Sequence, residues 1–133
     1  MEKYMLIIDD DDMTRSLIRL VFEFEGFTCI EADNGAAAIG AMASTDFDII
    51  LLDNIMPVMT GLSFLAHIQK SPKPHQAPII MLTGGLNPNV REQATQLGAY
   101  AIMSKPYDIG ELRNLVTQLC PTQSPPKAPL LQH

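Results

Sequence analysis

Acidic residues stand at the ends of two apolar runs in this chain. Asp9 and Asp10 follow the run 4–8, and Asp53 follows the run 47–52. If both runs are parallel strands of one sheet, their carboxyl ends share an edge and the three carboxylates meet there. Carboxylates this close repel one another and raise each other's pKa unless a cation lies between them. The spacing therefore predicts a metal site of hard oxygen ligands, which suits Mg²⁺ or Mn²⁺.

A hydroxyl group and an ammonium group follow two further apolar runs. Thr83 comes directly after the run 78–82, and Lys105 closely follows the run 99–103. Taken singly, a threonine there is a strand-end cap and a lysine a solvated cation. At the edge that holds the carboxylates, the pair specifies an oxyanion, and a phosphoryl group is the oxyanion that usually accompanies Mg²⁺. Asp53 is then the natural nucleophile, because a carboxylate can form an acyl phosphate.

Other polar residues have plain structural interpretations. Asp11 or Asp12 is expected to cap the helix that follows the first run and to favour its positive end. The two arginines of that helix are expected to form a solvated face, and the histidines lack clustered ligands. The residues for which we predict no chemical role are Asp11, Asp12, Arg15, Arg19, His67, His75 and His133.

Short apolar runs alternate five times with longer segments of helical period. The predicted strands are residues 4–8, 28–32, 47–52, 78–82 and 99–103. Segments 35–44 and 89–97 are predicted helices, and Asp108 followed by Glu111 resembles a capping box before another. Three helices are predicted to turn apolar stripes towards the core. The stripes are Met13, Leu17, Val21 and Phe24; Leu62, Leu65 and Ile68; and Ile109, Leu112, Leu115, Val116 and Leu119.

Five strand-helix units indicate parallel strands joined by right-handed crossovers. We therefore predict an α/β fold of the flavodoxin-like kind: a three-layer α/β/α sandwich with five helices and a five-stranded parallel sheet in the order 2-1-3-4-5. In that topology ligands bind at the carboxyl ends of the strands, beside strand one. Residues 1–120 are expected to form one domain. Residues 121–133 are rich in proline and are expected to be a disordered tail or linker.

Composition excludes several function classes. The 133 residues carry 9 Lys and Arg against 15 Asp and Glu, a formal charge of -6, which disfavours direct nucleic-acid binding. The apolar runs are far shorter than the roughly 20 residues of a membrane-spanning helix, so no membrane association is expected. The first residues resemble no signal peptide, and Cys29 and Cys120 are expected to be buried thiols. These features predict a cytoplasmic protein.

The ordered motifs resemble the receiver domain of two-component response regulators, of the chemotaxis-regulator kind. The resemblance covers residues 4 to about 119, with spacings of 43 residues from Asp10 to Asp53, 30 to Thr83 and 22 to Lys105. No single motif is specific, but the ordered set is. The motifs are Ile7-Ile8-Asp9-Asp10, Leu51-Leu52-Asp53, Met56-Pro57 with Gly61, Thr83-Gly84 and Lys105-Pro106.

The resemblance implies a phosphoacceptor. Asp53 would accept a phosphoryl group from a histidine kinase or a histidine phosphotransfer protein in a Mg²⁺-dependent reaction. Asp9 and Asp10 would hold the metal with Asp53, and Ile55 would lend a backbone carbonyl. The phosphoryl-binding and switch residues would be Thr83, Gly84 and Lys105.

The resemblance also implies an output. Phosphorylation would shift the face formed by helix four, strand five and helix five, and thereby the affinity for a downstream output protein or domain. Ile102 occupies the position, three before Lys105, where the family commonly has an aromatic switch residue. Ile55 occupies the position where aspartyl phosphatases have a second Asp, so we expect a signalling protein and not an enzyme. The alternatives are a phosphorylation-independent interaction module and a receiver excised from a longer regulator; a monomer or weak dimer is expected.

Overall fold

The computed structural model describes residues 2–56, 58–71, 75–84 and 87–121. Strands and helices alternate along the chain. The strands are β1 (Lys3–Ile8), β2 (Phe27–Ala32), β3 (Ile49–Asp53), β4 (Ile79–Thr83) and β5 (Ala101–Ser104). The helices are α1 (Asp12–Phe24), α2 (Gly35–Ser44), α3 (Gly61–Gln69), α4 (Pro88–Gln96) and α5 (Ile109–Leu119).

The sheet confirms the predicted topology. All four strand pairs are parallel, and the order is β2-β1-β3-β4-β5. The predicted boundaries are shifted by up to two residues. Asp48, predicted to lie in a strand, instead joins the segment before β3 to β1: its N–H donates to the Tyr4 carbonyl (2.8 Å), and its carboxylate accepts from the Tyr4 N–H (2.7 Å).

Apolar side chains on the two faces of the sheet form two core clusters. Along β1, Met5 and Ile7 face one cluster while Leu6 and Ile8 face the other, as strand alternation requires. All five residues of β3 and all five of β4 are buried, because both strands are covered on both faces. Helices α2, α3 and α4 contribute to the cluster with Leu6, and α1 and α5 contribute to the cluster with Met5.

Helix α1 contradicts the predicted orientation. Its buried residues are Arg15, Ile18 and Phe22, whereas Met13, Leu17 and Phe24 of the predicted core stripe are 82%, 57% and 77% exposed; Val21 is half-buried. Two apolar stripes run along this helix, and helical periodicity alone does not decide which one meets the sheet. The Phe22 ring packs edge-on against Phe27 of β2, with the ring centroids 5.9 Å apart.

Side-chain caps begin α1 and α5, the two helices for which the sequence predicts a cap. Asp11 caps α1 by accepting from the Thr14 N–H, and Asp108 caps α5 by accepting from the N–H groups of Gly110 and Glu111. The two cysteines are free and buried, as predicted, and burial raises the pKa of the Cys29 thiol to about 12.

Two predictions lie outside the described residues. One is the role of Pro57 beside Met56, and the other is the tail, of which only Pro121 is described. Among the helices that the structure describes, none combines the length and the apolar character that a bilayer crossing demands.

Candidate acidic site at the carboxyl edge of the sheet

The structure brings three carboxylates together at the carboxyl edge of β1 and β3. Ile8 lies opposite Leu52 in the parallel register, so Asp9 and Asp53 follow at the same level. One carboxylate oxygen from each of Asp9, Asp10 and Asp53 lies within 4.8 Å of the others. We call these three residues the acid group. Asp9 and Asp53 are 3% and 5% exposed, whereas Asp10 is exposed and leaves the group open on one side.

Lys105 faces the acid group from the end of β5. Its Nζ lies 3.3 Å from Oδ2 of Asp9 and 3.6 Å from Oδ2 of Asp53. The Lys105 N–H donates to the Thr83 carbonyl at 2.9 Å, which anchors the residue beside β4; the peptide bond from Lys105 to Pro106 is cis. The lysine thus sits on the rim where the sequence predicted it.

Thr83 and Gly84 end β4 next to this lysine. Thr83 is fully buried and pairs with Ser104 of β5 in the strand register. Gly84 is exposed, and a Cβ at Gly84 would lie 3.9 Å from the Lys105 Cβ, an ordinary contact distance. The two residues therefore line the edge between Lys105 and the end of β3.

Crowding of like charges governs the electrostatics of the site. Burial and the neighbouring Asp9 raise the pKa of Asp53 to about 6, against the opposing influence of Lys105 and of the Ile55 N–H. Burial alone would lower the pKa of Lys105, but the carboxylates of Asp53 and Asp9 outweigh it and raise that pKa. A single lysine therefore leaves the acid group with surplus negative charge.

The donor set fits a hard divalent cation. Its ligand atoms are carboxylate oxygens, two of them on buried residues held by separate strands. Ile55 lies in the turn after β3, where its N–H donates to Oδ1 of Asp53 at 3.2 Å. His67 and His75 lie outside the acid group, on α3 and in the following loop.

A close backbone contact shapes the loop that follows Asp53. The Gly61 N–H donates to the Asn54 carbonyl (2.9 Å), and the Leu62 N–H donates to the Asn54 side chain (3.0 Å). A Cβ at Gly61 would lie 2.7 Å from the Asn54 Cα and 2.8 Å from the Asp53 carbonyl oxygen, so only glycine fits. Sequence reasoning noted Gly61 as a motif residue but missed Asn54, which has no distinguishing signal.

Ile102, at the position where the resemblance predicts an aromatic switch residue, packs on the other face of the sheet from Tyr107. Ile102 is partly buried and packs against the cluster that α2, α3 and α4 share. Tyr107 packs against the opposite cluster, and Tyr100 is 62% exposed.

Arg15 is the residue that the sequence reasoning misjudged. It was expected on a solvated face, yet it is 9% exposed and its guanidinium donates to the Asp9 carbonyl (2.5 Å) and to Glu31 (3.0 Å). The available signal was Glu31 itself, a carboxylate on the same face of its strand as the buried residues Phe27 and Cys29. A charge at such a position requires a nearby counter-charge.

Comparison with known proteins identifies the family. The family model described as the response regulator receiver domain matches residues 5–117. The chain belongs to this family. It is a receiver domain of two-component signalling, and such domains act as phosphoacceptors that interact with histidine kinases and output domains.

Relatives of very different length match the chain. Sporulation initiation phosphotransferase F of Bacillus subtilis (strain 168) is 31% identical over 124 residues, which cover 93% of this chain and 98% of that protein. The regulatory protein AtoC of Escherichia coli (strain K12) is 31% identical over 120 residues, or 90% of this chain and 26% of AtoC. NtrC of the same organism is 35% identical over 83% of this chain and 23% of its own length. The chain thus spans about a quarter of these two regulators.

Solved structures share the fold of this receiver domain. The chemotaxis protein CheY4 of Vibrio cholerae has a TM-score of 0.82 and 25% identity, covering 90% of this chain and 99% of that one. The response regulator TrrA of Thermotoga maritima, solved in complex with Mg²⁺ and BeF, has a TM-score of 0.75 and 30% identity over 88% of this chain and 98% of that one.

Proposed function

We propose that this receiver domain takes up a phosphoryl group on Asp53 and passes the signal on through a change in partner affinity. The observation that carries the proposal is the setting of Asp53: a nearly buried carboxylate in the acid group, with the Lys105 ammonium 3.6 Å away. This setting supports the proposal, because Asp53 would act as a nucleophile beside a cation that can face an incoming anion.

The transfer forms one bond and breaks one. An oxygen of ionised Asp53 attacks the phosphorus of a phosphohistidine on a histidine kinase or phosphotransfer protein. The phosphorus–nitrogen bond breaks, and its electron pair remains on the imidazole of the donor. Lys105 would face the charge on the phosphoryl oxygens, and Thr83 and Gly84 would donate to them from the end of β4.

We further propose that Asp9, Asp10 and Asp53 hold Mg²⁺ or Mn²⁺, with the Ile55 carbonyl as an additional ligand. The donor set and the likeness to TrrA, solved with Mg²⁺ and BeF, support this. When bound, such an ion neutralises charge on a transferring phosphoryl group. Asp9 directly follows β1 and Asp53 ends the adjacent strand β3, so neighbouring strands hold the two buried carboxylates.

The output follows from the elements near Lys105. We propose that the phosphoryl group draws Thr83 and Lys105 together and shifts α4, β5 and α5 towards a conformation with altered affinity for an output protein or domain. Because Ile102 occupies the position of the family's aromatic switch, the shift would proceed without an aromatic rotamer change at that position.

The remaining parts of the proposal concern the whole protein. Residues 1–120 would act as one domain, with 121–133 as a tail or linker, in the cytoplasm and as a monomer or weak dimer. Turnover of phosphoesters is not proposed, because Ile55 offers no acid or base two residues after Asp53.

A labelling experiment tests the phosphoacceptor. The chain is incubated with acetyl phosphate and Mg²⁺, and its intact mass is measured. We expect a gain of one phosphoryl group that requires Mg²⁺ and is lost in Asp53→Asn. The matched control is Asp46→Asn, which changes an exposed carboxylate outside the acid group to an amide and should label normally.

Each other outcome points to a different function. Absence of labelling in a folded chain would favour a phosphorylation-independent interaction module. Rapid release of phosphate over many turnovers would favour an enzyme. Labelling that persists in Asp53→Asn would place the phosphoacceptor elsewhere.

A further inference from the structure

Helix α1 carries two arginines with one partner in common. The Arg15 Nε donates to Oε1 of Glu31 at 3.0 Å, and the Arg19 Nη1 donates to Oε2 of the same residue at 2.8 Å. The side chain of Arg15 is 11% exposed and that of Arg19 is 43% exposed. Arg19 also binds Glu23 on the helix surface. The two arginines differ in what else each one reaches.

Arg15 reaches the acid group from behind. Its Nη1 donates to the backbone carbonyl of Asp9 at 2.5 Å, and its Nη2 binds the Asp12 carboxylate. One guanidinium therefore joins β2, the end of β1 and the first turn of α1. The planar fork of donors in arginine makes such a three-way connection possible, whereas a lysine ammonium acts as a point charge.

Asp9 is held at all of its polar groups. Its N–H donates to the Ala32 carbonyl (3.1 Å), and its carboxylate accepts from the Asp11 N–H (2.9 Å) and faces Lys105. Its carbonyl accepts from Arg15. Because the Asp9 carbonyl and the Asp10 N–H belong to one planar peptide unit, this last bond also sets the orientation in which the chain enters Asp10.

The charge on Arg15 persists despite its burial. Burial by itself would lower the pKa of the guanidinium, but the hydrogen bonds to Glu31 and Asp12 outweigh it and raise that pKa. A buried and paired cation of this kind leaves uncompensated charge behind when it is removed. Arg15 therefore stays charged while its guanidinium is bonded to the backbone of the acid group at Asp9.

We infer that Arg15 is a positioning residue that holds the turn of Asp9 and Asp10 in the orientation at which the acid group binds a divalent cation. The inference rests on the proposed function and adds a residue to it. Groups that orient metal ligands from behind typically change metal affinity by about 10- to 100-fold when they are removed.

The test measures Mg²⁺ affinity directly. Isothermal titration calorimetry on the metal-free chain, without any phosphodonor, compares Arg15→Gln with Arg19→Gln. We expect affinity to fall by about 10-fold or more in Arg15→Gln and to stay unchanged in Arg19→Gln, which also loses one positive charge and one hydrogen bond to Glu31. Arg15→Lys should fail to restore the affinity, because a single ammonium nitrogen does not reproduce the spacing of the Nε and Nη1 donors that reach Glu31 and the Asp9 carbonyl.

A second readout needs no metal. The Asp11 N–H donates to the Asp9 carboxylate, so its hydrogen exchange reports the order of the turn. We expect faster exchange at Asp11 in Arg15→Gln and unchanged exchange in Arg19→Gln. If Arg15→Gln does not fold, Glu31→Gln takes its place, with Glu23→Gln, which loosens only Arg19, as the control; the Glu31 variant should then bind Mg²⁺ more weakly than the Glu23 variant.

The outcomes separate this inference from the proposed function. Equal Mg²⁺ affinities in the Arg15 and Arg19 variants, or full rescue by Arg15→Lys, would overturn the positioning role. Normal Mg²⁺ binding by the unchanged chain without phosphorylation of Asp53 would overturn the phosphoacceptor and leave the role of Arg15 intact.

Discussion

The acid group and the outer face of helix α1 are neighbours that depart from the usual burial pattern in opposite ways. Charged side chains are usually exposed and large apolar side chains are usually buried. The acid group buries the carboxylates of Asp9 and Asp53, whereas α1 exposes large apolar side chains. The exposed side chains, which we call the outer stripe, are Met13, Leu17, Leu20 and Phe24. The first departure puts reactive carboxylates at an edge of the sheet from which water is largely excluded. The second leaves apolar surface in contact with water, a feature often found at interaction sites.

Stability and function come from different parts of this region. Burial of unbalanced charge opposes folding, so the apolar core behind the acid group must offset it. The outer stripe contributes little to folding, because its side chains remain largely in water. Removal of a buried charge from the acid group should therefore stabilise the fold, substitutions on the outer stripe should have little effect, and the largest losses should come from the apolar core.

The largest effect is expected from the core side of α1. Phe22 is fully buried against Phe27, so Phe22→Ala should lower the free energy of unfolding by about 3–5 kcal/mol. Phe24→Ala, two residues away on the outer stripe, should change it by no more than about 0.5 kcal/mol. Urea unfolding followed by circular dichroism measures both. Equal losses would show that the outer stripe is packed.

The next effect should be stabilising. The pKa of Asp53 is raised to about 6, so folding favours its protonated form, and the free energy of unfolding falls as pH rises from about 4 to 6. Above pH 6 the ionised carboxylate therefore opposes folding by about 2–3 kcal/mol. In EDTA at pH 7.5, Asp53→Asn should be more stable by about this amount, and the gain should shrink towards pH 4. A pH-independent difference between the two proteins would contradict this origin.

A smaller loss is expected where the backbone approaches itself beside Asp53. A Cβ at Gly61 would meet the Asn54 and Asp53 backbone at 2.7 and 2.8 Å, so Gly61→Ala should cost about 1–3 kcal/mol. Gly40→Ala is the control, because nothing lies within 4 Å of its added Cβ and alanine favours the helix. Thermal unfolding of both variants measures the contrast. A stabilised Gly61→Ala would mean that the loop relaxes freely.

The smallest effect is expected on the outer stripe itself. Leu17 and Leu20 are 57% and 68% exposed, so the double change Leu17→Gln and Leu20→Gln should alter the free energy of unfolding by no more than about 0.5 kcal/mol. Ile18→Ala, on the buried face of the same helix, should lose about 2–5 kcal/mol. Chemical unfolding measures both variants. A loss above about 1 kcal/mol in the double variant would contradict the claim that the outer stripe contributes little to folding.

Much of the fold could be predicted because its signals are local. Apolar runs of strand length followed by helical segments give parallel strands, and parallel strands bring their carboxyl ends to one edge. The sequence alone therefore predicts that Asp9, Asp53 and Lys105 lie at the same edge of the sheet. The ends of the strands could be predicted less well. Asp48 lies outside β3 because it bonds Tyr4, a residue distant in sequence.

The sequence by itself determined the order of the elements and the side chains that meet at the carboxyl edge, because period and chain direction are properties of each segment. Only the tertiary structure decided which face of α1 meets the sheet, and thereby that Arg15 lies beneath Asp9 while Leu17 lies in water. Helical periodicity groups residues onto faces without choosing among those faces. The choice depends on Glu31 and Phe27, which lie on the strand β2 that α1 packs against and therefore outside the sequence of the helix itself.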